Sequence, residues 1–121
     1  MRTKIGLWFL IIFAAATVYA EPVYLACHVI DAKGNQTRID ITLDEASQHV
    51  SYSIVDTGLT RKTTGIFSAD RVFFVSNSGD LMEIQYTIDR VNLSIQRALP
   101  RLKRLDTGMC SVVQVPKNRK F

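Results

Sequence analysis

Two Asp-Thr-Gly triplets, Asp56-Thr57-Gly58 and Asp106-Thr107-Gly108, are the first residues here whose type and repetition suggest chemistry. Two aspartates held together share one proton and can activate water against a peptide bond. The surroundings argue against that use. Leu59 and Met109 follow the triplets where a small residue belongs, and no apolar pair plus glycine lies downstream to build a supporting loop. The 50-residue interval is also too short for a lobe that carries a single aspartate. Asp-x-Gly between apolar runs is ordinary turn chemistry, and both triplets are read as turns.

Histidine catalysis has little to draw on. His28 and His49 are the chain's 2 histidines, and each falls at an alternating position of an expected strand. No nearby residue presents itself as a nucleophile. No pair of His, Cys, Asp or Glu has metal-ligand spacing. The chain is therefore expected to be no enzyme and to need no metal or cofactor.

Cys27 and Cys110 are the only 2 cysteines. Their chemistry depends on the compartment, and the first twenty residues speak to that. Arg2 and Lys4 precede an uncharged apolar run, Ile5 to Ala16, and Val18-Tyr19-Ala20 offers a cleavage site. This reads as a secretory signal peptide over 1–20, with Glu21 as the mature start. The run is short for a bilayer span, and no later stretch approaches it. Tyr24-Leu25-Ala26-Cys27 also resembles a lipoprotein processing box, but the site before Glu21 fits the leader pattern better. In an oxidising compartment the two cysteines read as a disulfide, worth roughly 4–5 kcal/mol in the chain-entropy picture.

The elements that position these residues are strands. Ile39, Ile41 and Leu43 alternate with polar residues, as do Val50, Tyr52 and Ile54, then Met82, Ile84, Tyr86 and Ile88, then Val91, Leu93 and Ile95. Period two with one apolar face predicts half-buried strands. They are expected near 23–30, 37–43, 49–55, 61–67, 71–76, 81–89, 92–99 and 109–115. Asp31 to Asn35, Asp56 to Gly58, Asn77 to Asp80 and Asp106 to Gly108 read as turns, 44–47 as one helical turn, and 100–107 as a basic loop or short helix. Short connections favour an antiparallel meander. A disulfide between its first and last strands brings the edges together. Residues 21–121 are thus expected to form a single all-β domain, an antiparallel meander of about eight strands closed or nearly closed into a barrel. A two-sheet sandwich is the alternative. Tyr52, Phe67, Phe73, Phe74 and Tyr86 are expected to fill the interior.

Charge is unevenly spread. Without the leader, 13 basic residues face 11 acidic ones. Arg97, Arg101, Lys103, Arg104, Lys117, Arg119 and Lys120 face Asp106 alone from residue 97 onward, a local +6, whereas 21–96 carries −4. These seven cations are the candidate contact surface, suited to an acidic protein or an anionic envelope polymer. No aromatic residue interleaves with them before Phe121, which argues against a nucleic-acid stacking platform. Asn35-Gln36-Thr37 and Asn92-Leu93-Ser94 are sequons, silent in a bacterial host.

Three features, Cys27 early in the first strand, Tyr86-Thr-Ile-Asp-Arg90, and Gly108-Met-Cys110 before a short final strand, resemble those of small exported β proteins of Gram-negative bacteria. That resemblance implies an exported barrel, secreted or periplasmic. Tyr24, Cys27 and Cys110 are also loosely similar to the pattern of periplasmic inhibitors of C-type lysozyme, which are small antiparallel barrels. No inhibitory Ser or Lys is carried over from them. The functional expectation is a non-enzymatic exported binding protein that recognises a protein or anionic envelope polymer, inhibitor-like in style. The alternative is a carrier barrel for a small hydrophobic ligand.

Overall fold

Alternation decides which side of each strand turns inward. β1 (Val23–Ile30) buries Leu25, Cys27 and Val29 and exposes Tyr24, His28 and Ile30, as the period-two geometry of a strand dictates. The same rule runs through β2 (Gln36–Asp44), β3 (His49–Ile54), β4 (Leu59–Phe67), β5 (Arg71–Ser78), β6 (Met82–Asp89), β7 (Ser94–Leu99) and β8 (Arg104–Val113). The computed structural model describes residues 21–78 and 82–113. The leader 1–20 and the tail cations Lys117, Arg119 and Lys120 lie outside the described residues. Each strand pairs antiparallel with the next, and β8 returns to β1, so the eight strands close into a barrel. Closure pairs both sides of most strands, and the shortest ladder is β4–β5, where only Gly65–Phe67 face Val72–Phe74.

The seam between β1 and β8 runs from Tyr24 opposite Val113 to Ile30 opposite Thr107. Cys27 and Cys110 face each other within it and are disulfide-bonded, their Cα atoms 3.9 Å apart. Both sulfurs sit in the core, with Leu25, Val29, Ile39, Ile41, Val50, Val72, Ile88 and Ile95. Further along the interior three rings meet. Phe74 stacks on Tyr86 at 4.9 Å between centroids, and Tyr52 lies tilted against both, at 5.5 and 5.7 Å. Phe67 is partly buried against this core. Phe73 is not in it. It is paired with exposed Ile66, and between inward-facing Val72 and Phe74 it must face outward.

Seven strands fall within two residues of their expected spans. The eighth begins five residues early, and the turn expected at its start fails with it; Asn77 and Ser78, expected in a turn, end β5 instead, and Gly79 and Asp80 lie outside the described residues. Asp106-Thr107-Gly108 lies inside β8 rather than in a turn. Asp106 is opposite Arg97, and Gly108 is opposite both Ile95 and Val29. The real corner is a 3-10 turn, Pro100–Leu102, completed by Lys103 in the left-handed region at φ 50. Residues 45–48 form a tight turn instead of a helical one, with Gln48 at φ 61.

Gly108 is there because the seam is narrow. An added Cβ would lie 1.7 Å from the His28 carbonyl oxygen, a backbone atom that cannot swing aside. Gly108→Ala is expected to cost at least about 3 kcal/mol, the upper end for overpacking, because the β1–β8 ladder must spread. Gly58→Ala meets open space and has only its φ of 72 to strain, so it is expected to cost about 1 kcal/mol. Urea midpoints of the two variants check the difference.

Candidate functional site

The two ends of the barrel differ in chemistry. At the end where β1 starts and β8 finishes, the inward side chains are apolar: Val23, Leu25, Leu43, Phe67, Val72, Ile88, Leu93 and Val112. They surround a cavity of about 280 Å³ that opens at the barrel mouth, with Glu21, Glu45 and Arg90 at its rim. Three turns meet across this mouth. Arg90, after β6, donates to both carboxylate oxygens of Glu45 after β2, at 2.8 and 3.2 Å. It also donates to the Ser68 carbonyl after β4 at 2.6 Å, and its own N–H bonds the Asp70 carbonyl.

The strap is partly exposed, with side chains 33% and 44% accessible. Its contribution to stability is therefore small, and its importance is positional. Hydrogen bonding to Arg90 and the charge of its guanidinium hold the Glu45 carboxyl below the usual carboxylate range. The turns themselves are stapled by aspartates. Asp89 accepts the N–H groups of Val91 and Asn92, and Asp31 accepts those of Lys33 and Asn35. Bonds to these backbone donors keep both carboxyls low as well.

Toward the other end the interior turns polar. Asp106 is 1% exposed and receives two arginines. Arg97 donates through Nε and Nη2 at 3.0 and 2.8 Å, and Arg104 through Nε and Nη2 at 3.2 and 3.1 Å. Burial pushes the Tyr86 phenol's pKa up, against the charge of nearby Arg97. Next to it the Tyr52 hydroxyl donates to Ser76. Asp106, Arg97, Tyr52 and Ser76 thus each have a partner, as burial requires.

This arrangement redraws the basic contact surface. Arg97 is buried at 8% exposure and belongs to the interior, which corrects its assignment to the surface. Arg104 is half-turned inward onto Asp106. Arg101 and Lys103 are exposed at the β7–β8 corner. Strand parity was the missed signal. Ile95 and Leu99 face inward, so Arg97 between them must do the same, and counting back from Cys110 places Asp106 and Arg104 inside too.

No family model, curated protein or solved structure matches the chain. Function must therefore be argued from its own residues. The two Asp-Thr-Gly triplets do not form a proton-sharing pair. Asp56 is in an exposed turn, and the Asp106 oxygens are taken by guanidinium groups. His28 and His49 are exposed strand residues, and the Gln36 amide lies 3.0 Å from His28 Nδ1. Among the described residues no three His, Cys, Asp or Glu side chains converge to hold a metal ion. Nor, among them, is any helix long and apolar enough to cross a membrane.

One stretch of outer wall stands apart. Outward positions hold Ser94, Gln96 and Ala98 on β7, Leu105, Thr107, Met109, Ser111 and Val113 on β8, and Tyr24, Ala26, His28 and Ile30 on β1. None is Asp, Glu, Lys or Arg. The strands on either side resume the charges, with Arg38, Asp40 and Asp44 on β2 and Glu83 and Asp89 on β6.

Proposed function

We propose that the chain is an exported, non-enzymatic binding barrel that takes a small apolar ligand into its mouth. The cavity carries this reading. An apolar void of about 150 Å³ already binds benzene, and ligand sites generally begin near 300 Å³. At about 280 Å³ the mouth suits one ring or a short alkyl chain. Its rim favours a neutral molecule, since the Glu45 carboxylate already neutralises Arg90. Export is supported by the apolar leader and by a disulfide, which persists in oxidising compartments. Among the described residues, those that line the cavity are mostly apolar, which suits binding. Protein recognition is the second reading. It rests on the uncharged wall of β7, β8 and β1 more than on the depleted basic surface.

Calorimetric titration with toluene, a neutral one-ring probe, tests the first reading. Saturable binding at one probe per chain is expected, and Leu93→Trp, which fills the mouth, should abolish it. A native protein that takes up no probe would remove the carrier reading. Acid should loosen the site. The Glu45 pKa is lowered in the fold, so the strap is intact at neutral pH and is lost as pH falls through that lowered value. Probe exchange is expected to quicken there, and Glu45→Gln should show the fast exchange at every pH.

A further inference from the structure

The mouth leaves the uncharged wall unexplained, and the central strand of that wall reads the same in both directions. Outward along β8 run Leu105, Thr107, Met109, Ser111 and Val113, which is apolar, hydroxyl, apolar, hydroxyl, apolar. The three apolar members are 56%, 55% and 44% exposed. A twofold axis through Met109, perpendicular to β8, sets Leu105 over Val113, Thr107 over Ser111, and Met109 over itself in a second copy. Such self-matching is the defining property of an isologous interface, and two sheets stacked face to face with strands about 30° apart provide its geometry.

We propose that this wall joins two copies of the chain in a symmetric dimer centred on Met109. Charge selects the occupant. A wall without Asp, Glu, Lys or Arg offers nothing to an acidic or basic partner, yet leaves no unpaired charge when it meets its own copy. Arg38 and Asp40 on β2 and Glu83 and Asp89 on β6 bound it and stay in water. Three strands about 4.8 Å apart, over roughly 27 Å from Leu105 to Val113, span about 400 Å² of the curved outer wall per copy. A pair meeting along β8 therefore buries at most on the order of 800 Å² in all, below the standard range for stable complexes and within that of weak, transient ones. The dimer is accordingly reversible. It does not rest on the ligand reading, because the mouth and this wall share no side chain.

Sedimentation velocity across a concentration series tests it. The native chain should pass from monomer to dimer as concentration rises. Met109→Glu and Met109→Lys each place like charges together on the axis, and each should weaken association about a hundredfold or more. An equal mixture of the two variants should restore the dimer, because each Glu then meets a Lys. Met109 points into solvent, so both variants keep the interior intact, which circular dichroism confirms before the mixing experiment. Leu93→Trp should leave association unchanged. A native chain that stays monomeric at its highest soluble concentration overturns the proposal. So does a dimer that both charged variants leave intact, or a mixture that remains monomeric.

Discussion

Replacing Cys27 and Cys110 together with alanine is expected to remove about 4–5 kcal/mol of stability, the chain-entropy value for a bond that closes a separation of 83 residues. A domain this size holds roughly 5–15 kcal/mol in all, so the variant should be marginal but still a barrel. The seam does not depend on the bond alone. Seven pairs from Tyr24–Val113 to Ile30–Thr107 remain to hydrogen-bond across it. The effect should lie in the unfolded chain, which expands once it is untied. Urea unfolding checks both points. The midpoint should fall and the denaturant slope should rise, because more surface is exposed on unfolding. A fall in midpoint at constant slope would move the effect into the native state.

Asp106→Asn is expected to be nearly as damaging, at about 3–5 kcal/mol. It removes the one carboxylate that two guanidinium groups share in the interior. Arg104 can extend its head to water, with a side chain 37% exposed, but Arg97 at 10% cannot. The cost is therefore that of a stranded buried cation rather than of a lost contact. Removing both members tells the two apart. Arg97→Met with Asp106→Leu should recover most of the loss, since apolar groups of similar volume can replace a buried pair with little penalty. Thermal unfolding of the two variants side by side would show it. A double variant no more stable than Asp106→Asn would mean that the cluster itself organises the barrel.

Much of the fold was legible because a strand with one buried face repeats every two residues. Leu25, Cys27 and Val29 announce β1, and Val50 with Tyr52 announces β3. Barrel closure also followed, from the single bond available to two cysteines at opposite ends of the chain. What misled was local chemistry with two physical causes. Asp-Thr-Gly makes a turn at Asp56, where nothing else claims the aspartate. At Asp106 the same three residues stay extended, because Arg97 and Arg104 bind the carboxylate and the seam demands a glycine. Positive charge likewise suggests a surface until Arg97 is counted against Ile95 and Leu99. The mouth was not legible at all. Its walls come from strands far apart in sequence, and only closure brings Leu25, Leu43, Phe67, Ile88 and Val112 together.

An even number of strands in an up-and-down circuit has a directional consequence. β1 begins and β8 ends on the same rim, with Val23 and Val112 both lining the mouth. An attachment made at Glu21 or directly after Val113 therefore turns the mouth toward the point of attachment and the arginine-rich end away from it. A bulky label at either of those positions would stand beside the cavity, while one inserted at the Asp56–Gly58 turn would leave it open. The choice of attachment point is thus also a choice of which end of the molecule meets its surroundings.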